Sequence, residues 1–288
     1  MKNINKGWKI KLLLTVAITI VIGGVLFFWY GNNSDKLKIL YHTENEFGPV
    51  WIYEENNARC MTFSKPPTKV VQSCMSLTKP DFLLFAYTQT FMSSLFFKEY
   101  PRKVLLIGLG GATLGRAINK LAPHAELDIV DINPAIIPIN EEYFNFKEGG
   151  RNKIFIEDGF DFAKSAPENS YDIVLLDAYD DEYIAPQLLT NEFFKNIKRI
   201  MTKSGIVAVN TLQNSKFTDL ENKLVKDNFG EYYSLPLDGS RTMIASKSVL
   251  PNFEEIYARS QPWIFRFGAV GVSSHAIASL YKDKKDKN

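Results

Sequence analysis

The 288-residue chain is poor in the side chains that build metal sites, with three histidines and two cysteines. His42, His124 and His275 stand alone, and no spacing of His and Cys fits a metal ligand set. No resident metal is expected. An excess of charge is also missing. The formal net charge is +2, from 34 basic and 32 acidic residues. Four of the basic residues, Lys2, Lys6, Lys9 and Lys11, fall in the first eleven positions with no acid among them. Beyond them acids outnumber bases, so the chain makes no case for a nucleic-acid surface. Internal repeats are absent, which removes solenoid architectures. Apolar residues make up 45% and charged residues 23%, an ordinary globular composition. The length suits one large domain, or one domain with a smaller companion.

Long uncharged runs are rare, with one exception. Residues 12–30 read LLLTVAITIVIGGVLFFWY without a charge. As a helix, nineteen residues rise about 28 Å, close to the hydrocarbon thickness of a bilayer. Trp8, Trp29 and Tyr30 stand where interfacial aromatics belong. A cleaved signal peptide usually has a shorter apolar core, and no A-x-A-like site follows this one. The expectation is an uncleaved single-pass anchor over residues 10–30. The flanking lysines place the N-terminus in the cytoplasm and the folded part outside it. The chain then divides into 1–31 (lysines and anchor), 32–80 (linker and a small antiparallel β domain) and 81–288 (a larger domain).

Residues 47–76 alternate short β-like runs with turns: Gly48–Tyr53, a turn at Glu55-Asn56-Asn57, then Cys60–Phe63 and Val70–Ser73. Pairing 58–64 with 69–75 about Pro67 sets Cys60 opposite Cys74. A cross-strand disulfide and a pair of buried thiols both fit. Residues 81–98 are apolar all round at helical spacing, which predicts a buried helix capped by Asp81.

From residue 103 the pattern changes. Apolar strands are expected at VLLIGLGG, 127–133, 153–158, 171–177 and 204–211. Helices are expected at 112–121, 134–145, up to 165, 190–202 and 215–228. This alternation predicts an α/β fold: a Rossmann-like, doubly wound, mostly parallel sheet of the class I methyltransferase type. A closing hairpin follows over 231–247, and one or two helices over 253–281.

Ligands of such sheets bind beyond the carboxyl ends of the strands. The first strand ends Gly108-Leu109-Gly110-Gly111, where glycines let backbone approach a ligand. The second ends at Asp131, where an acid can reach a ribose diol. The third ends Glu157-Asp158-Gly159, and the fourth enters the cluster Asp177, Asp180, Asp181. Asp131 and Asp158 would serve equally as helix caps. Glycine or acid at all four strand ends points to a nucleoside cleft. The acids favour a nucleoside with a cationic tail, S-adenosylmethionine or its decarboxylated form.

VLLIGLGG, VDINP, EDG, LLDAYD and LTNEFF, in this order, resemble the spermidine synthase family of polyamine aminopropyltransferases, in particular its bacterial membrane-anchored branch. The resemblance covers about residues 38–247. It implies a transferase of polyamine biosynthesis, with decarboxylated S-adenosylmethionine as co-substrate and a putrescine-like amine as acceptor. By resemblance, Gln72, Gly108, Gly110, Asp131, Asp158 and Gly159 hold the nucleoside. Asp177 is the general base, and Asp180 and Tyr87 bind the amine. A homodimer is implied as well. Departures fall mostly on the amine side, though Asp131 itself stands where glutamate is usual. Gly111 stands where the family's G-G-G-D-G-G carries aspartate, Thr88 follows Tyr87 where glutamine is usual, and Ser93 stands for a histidine. The alternatives are a class I methyltransferase and a tethered binding module without turnover. Decarboxylated S-adenosylmethionine is a cytoplasmic metabolite, which sits uneasily with the expected topology.

Overall fold

The computed structural model describes residues 37–178 and 184–282, together with 285–286. The expected anchor at 10–30, and Asp180 and Asp181, lie outside the described residues. Among those described, no helix is long and apolar enough to cross a membrane.

The chain opens with a four-stranded antiparallel meander: β1 (Lys38–Asn45), β2 (Gly48–Glu55), β3 (Ala58–Thr62) and β4 (Ser73–Ser76). Asn56 and Asn57 both take positive φ, the backbone that a tight two-residue hairpin turn requires. Cys60 and Cys74 face each other across β3 and β4 and are joined by a disulfide. The last strand starts later than its sequence suggests. Val70 and Val71 do not join it, and Val70 is exposed, so its β-branched side chain has no buried face to cover.

The expected helix over 81–98 is shorter and divided. It runs as α1 (Ala86–Met92) and α2 (Ser94–Phe97), with Phe85 at the N-cap. Asp81 is not a cap; its carboxylate pairs with Lys120 at 3.1 Å. The approach to α1 is held by tertiary bonds instead. Leu83 N–H donates to Val270 O, and Gln89 Nε2 donates to Leu83 O. Phe91, Met92 and Leu95 are fully buried, as the apolar pattern implies, whereas Leu84 is exposed.

The main sheet alternates as its sequence implies. The elements are β5 (Lys103–Ile107), α3 (Thr113–Leu121), β6 (Glu126–Asp131), α4 (Ile136–Tyr143), β7 (Asn152–Ile156), α5 (Gly159–Ser165) and β8 (Tyr171–Leu176). After them come α6 (Asn191–Ile200), β9 (Met201–Leu212), α7 (Thr218–Phe229), β10 (Tyr232–Leu237) and β11 (Ser240–Ser246). The chain closes with α8 (Phe253–Ser260), α9 (Ile264–Gly268), α10 (Ser274–Ser279) and β12 (Lys285–Asp286). Strand order is β12-β10-β11-β9-β8-β5-β6-β7. The five strands β5 to β9 are mutually parallel, and the hairpin β10–β11 adds antiparallel, so the sheet is mixed.

Alternate residues of β5 serve opposite faces. Val104 and Leu106 join a core that takes in α3, α1 and the small sheet's Val50, Ile52 and Met61. Leu105 and Ile107 join a second core under α5 and α6. Both faces of the sheet are therefore covered, which is why its strands read as unbroken apolar runs. The topology also sets the site. The chain builds outward from β5 through β6 to β7, then returns to lay β8 on the other side of β5. The crevice between β5 and β8 is the point where strand order reverses.

Candidate active site

Gly108 follows β5 at φ +95. A Cβ there would lie 2.2 Å from the backbone carbonyl oxygen of Asp177 and 2.7 Å from its carbon. No side chain fits, so glycine is what lets the β5 turn pack on the end of β8. Asp177 N–H in turn donates to Ile107 O at 2.8 Å. Gly159 does comparable work at the next crossover, where a Cβ would meet Ile107 Cγ2 at 2.7 Å. Two of the glycines picked out at strand ends are thus required by packing, Gly108 against backbone and Gly159 against the Ile107 side chain, whatever they hold.

Asp131, at the end of β6, reaches into the same turn. Its carboxylate accepts from Leu109 N–H at 2.9 Å, from Asn133 N–H at 3.0 Å, and from Gly110 N–H. Burial pushes its carboxyl up from the ordinary value, against the pull of these three donors. It does not cap α4, whose N-cap is Ala135. Asp158 is the opposite case. It is the N-cap of α5, accepting from Phe160 N–H at 2.7 Å, while its other oxygen accepts from Gln187 Nε2 at 2.9 Å. Similar-looking acids at neighbouring strand ends therefore differ: one organises the glycine turn, and the other caps a helix beside it.

The centre of the site is Asp177. Its Oδ1 accepts from Asn210 Nδ2 at 2.9 Å, and Tyr87 O–H, from α1, also donates to the carboxylate. Burial lifts the carboxyl from 3.8 to about 7, although both bonds favour the ionised form. Tyr87 is held well above its ordinary range by burial first, then by the charge of Asp177 and the bond to it. Among the described residues, no cation acts on either Asp131 or Asp177. Two half-buried carboxylates at the ends of the strands that flank β5, without a counter-ion among the described residues, suit a ligand that brings positive charge.

Asn210 is the residue the sequence reading missed. It is 6% exposed near the end of β9, and its Oδ1 has no partner among the described residues. The signal was present: in SGIVAVNT it is the polar residue that ends the apolar run, as Asp131 and Asp177 do in their strands. The small sheet closes the crevice from the other side. Gln72 is half-buried, its N–H donating to Met61 O at 3.0 Å. Ser73 bonds Thr113 at 2.9 Å, hydroxyl to hydroxyl, at the start of α3. The position lacking the family's aspartate is filled from here. A Cβ on Gly111 would meet Ser73 Oγ at 2.9 Å and Phe144 Cε1 at 3.1 Å. Ser93, read as standing for a histidine, bonds Tyr281 O–H in the core at 2.5 Å. No cluster of three or more His, Cys, Asp and Glu able to hold a metal occurs among the described residues.

The structure thus brings together Tyr87, Gly108, Gly110, Asp131 and Asp177, with Gln72 on the flanking segment and Asp158-Gly159 one strand further along. A match to the spermine/spermidine synthase domain spans residues 84–234, which holds most of these groups. The chain belongs to the spermine/spermidine synthase family. Among curated family members, a polyamine aminopropyltransferase of Vibrio vulnificus is 29% identical over 229 residues, covering 77% of each chain. One from Chromobacterium violaceum is 33% identical, over 56% of this chain and 60% of its own. In three dimensions the fold matches a spermidine synthase solved with the transition-state analogue AdoDATO. The TM-score is 0.69 at 15% identity, covering 85% of this chain and 84% of the other. The spermidine synthase of Thermotoga maritima gives a TM-score of 0.66 at 14% identity, with the same coverage. At these identities the structural matches speak for the fold, and the family rests on the sequence match.

Proposed function

We propose that this family member transfers an aminopropyl group from decarboxylated S-adenosylmethionine to a putrescine-like amine, releasing 5′-methylthioadenosine. The observation that carries the reading is Asp177. It is a carboxyl raised to about 7, bonded by Tyr87 and Asn210, at the crevice where strand order reverses. Its ionised form takes a proton from the acceptor's ammonium. The freed amine nitrogen attacks the carbon beside the sulfonium. The new C–N bond forms as the C–S bond breaks, and the electron pair leaves on sulfur as a neutral thioether. The proton ends on Asp177 and passes to solvent. Asp131, with Gly108 and Gly110, is the reading for the nucleoside side, and Gln72 and Asp158 flank it. Asp180 is assigned to the amine by the family pattern. The single-pass anchor at 10–30, with the domain outside the cytoplasm, belongs to the same proposal. The Cys60–Cys74 disulfide supports an oxidising compartment.

The test is turnover by the full-length chain, with decarboxylated S-adenosylmethionine and a panel of diamines, read as 5′-methylthioadenosine release. Amine-dependent release that Asp177→Asn abolishes is the expected result. Binding of 5′-methylthioadenosine with no turnover on any amine would leave a nucleoside-binding module in place of an enzyme.

A further inference from the structure

On the flank of the main domain, away from Asp177, a cavity of about 410 Å³ opens between α3 and the 145–152 loop. Arg116, Asn119 and Lys120 line it from α3, Lys147 lines it from the loop, and Asp81 completes the charged lining. Arg116 is unusual there. It is 8% exposed, and Nη1 donates to the carbonyls of Gly111 and Phe144, both at 2.8 Å. Its Nε has no hydrogen-bond partner among the described residues. Asp81 acts on its charge and partly offsets the effect of burial, but the Asp81 carboxylate itself pairs with Lys120 at 3.1 Å. Burial lowers its pKa to about 10. Two carbonyls call for N–H groups and not for a charge. A buried charge normally has a partner of opposite sign. Here three cations face the cavity against one carboxylate, a surplus that matches a dianion.

We propose that this cavity binds a phosphate group, carried by a phosphomonoester or as free phosphate, on Arg116, Lys120 and Lys147. The charge count favours phosphate over a monocarboxylate. The site also touches the crevice through one side chain, since Arg116 holds the Gly111 carbonyl. The proposal is independent of the aminopropyl reading.

The experiment is titration calorimetry of the full-length chain with inorganic phosphate, glycerol 3-phosphate and acetate, at fixed ionic strength. Saturable binding of either phosphate probe, at least tenfold tighter than acetate, is expected. Glycerol 3-phosphate binding tighter than inorganic phosphate identifies an ester as the ligand, and equal or weaker binding identifies the free ion. Lys147→Glu should weaken the phosphate probes at least tenfold. Lys147→Ala is the milder variant should the reversal disturb folding, and Lys147 is exposed. No saturable phosphate binding overturns the proposal. So does acetate binding equally well, or phosphate binding unchanged in both Lys147 variants.

Discussion

Replacing Asp177 by asparagine should stabilise the fold at high pH while removing activity, and the size of the effect follows from the site. The carboxyl titrates at about 7 in the folded chain against an ordinary 3.8. Burial is the cause, and the bonds from Asn210 and Tyr87 only reduce it. The folded state therefore holds this proton more tightly than the unfolded one. Between pH 4 and pH 7 the native chain binds the extra proton, so stability falls as pH rises through that window. Three pH units correspond to an upper bound of about 4 kcal/mol. Solvent reaching a half-buried group reduces that to about 2 kcal/mol. The variant's amide does not ionise, and its oxygen can still accept from Asn210. Urea unfolding of parent and variant at pH 4.5 and pH 8 measures the difference directly. The variant's advantage should grow by about 2 kcal/mol between the two conditions. In parallel, kcat/KM of the parent should rise with pH through about 7, and the variant should lose turnover by roughly two to four orders of magnitude. A stability gap that is equal at both pH values, or an activity limb centred near 4, would refute a desolvated base at this position.

Gly108→Ala should cost about 3 kcal/mol or more, from positive-φ strain plus the clash with the Asp177 carbonyl, and should depress turnover beyond the stability loss; thermal unfolding and steady-state kinetics check both. Gly111→Asp, which restores the family's acid, should destabilise by about 1–3 kcal/mol because its Cβ meets Ser73 and Phe144. Ser73→Gly in the same chain should recover part of that loss, read by denaturant midpoints, and no recovery would show that Ser73 is not the obstacle. Breaking the disulfide with Cys60→Ser and Cys74→Ser should cost about 3 kcal/mol for a loop of this length. It should also weaken 5′-methylthioadenosine binding, since Cys74 adjoins the Ser73 that packs on the glycine turn.

Much of the fold was legible because the central strands of the main sheet, β5, β6, β8 and β9, are buried on both faces. A run such as VLLI can satisfy that environment only as a central strand, and the glycine or acid that ends it marks where the sheet meets solvent. The small sheet was legible to the level of register, since turn residues at 55–57 and 65–68 set Cys60 against Cys74. Asp81 and the start of α1 were misread because local pattern cannot see Val270, whose carbonyl takes the Leu83 N–H from across the chain. Val70 was misread for a related reason, as its β propensity lacks a buried face to act on, and Val71 packs against the disulfide cluster without joining the strand.

The sequence by itself determined the helix-covered parallel sheet, the glycine turn and which strand ends carry acids, because periodicity and turn chemistry act over a few residues. It could not separate Asp131 from Asp158. Both precede helices, and only the packing of the Leu109–Gly110 turn against β6 makes one an organiser of the crevice, while α5 claims the other as its cap. Asn210 acquires its importance only from lying in β9, next to β8, where its amide meets Asp177. The raised carboxyl of Asp177 is likewise a property of the assembled crevice. Desolvation depends on what the rest of the chain lays over a group, and residues distant in sequence supply that cover.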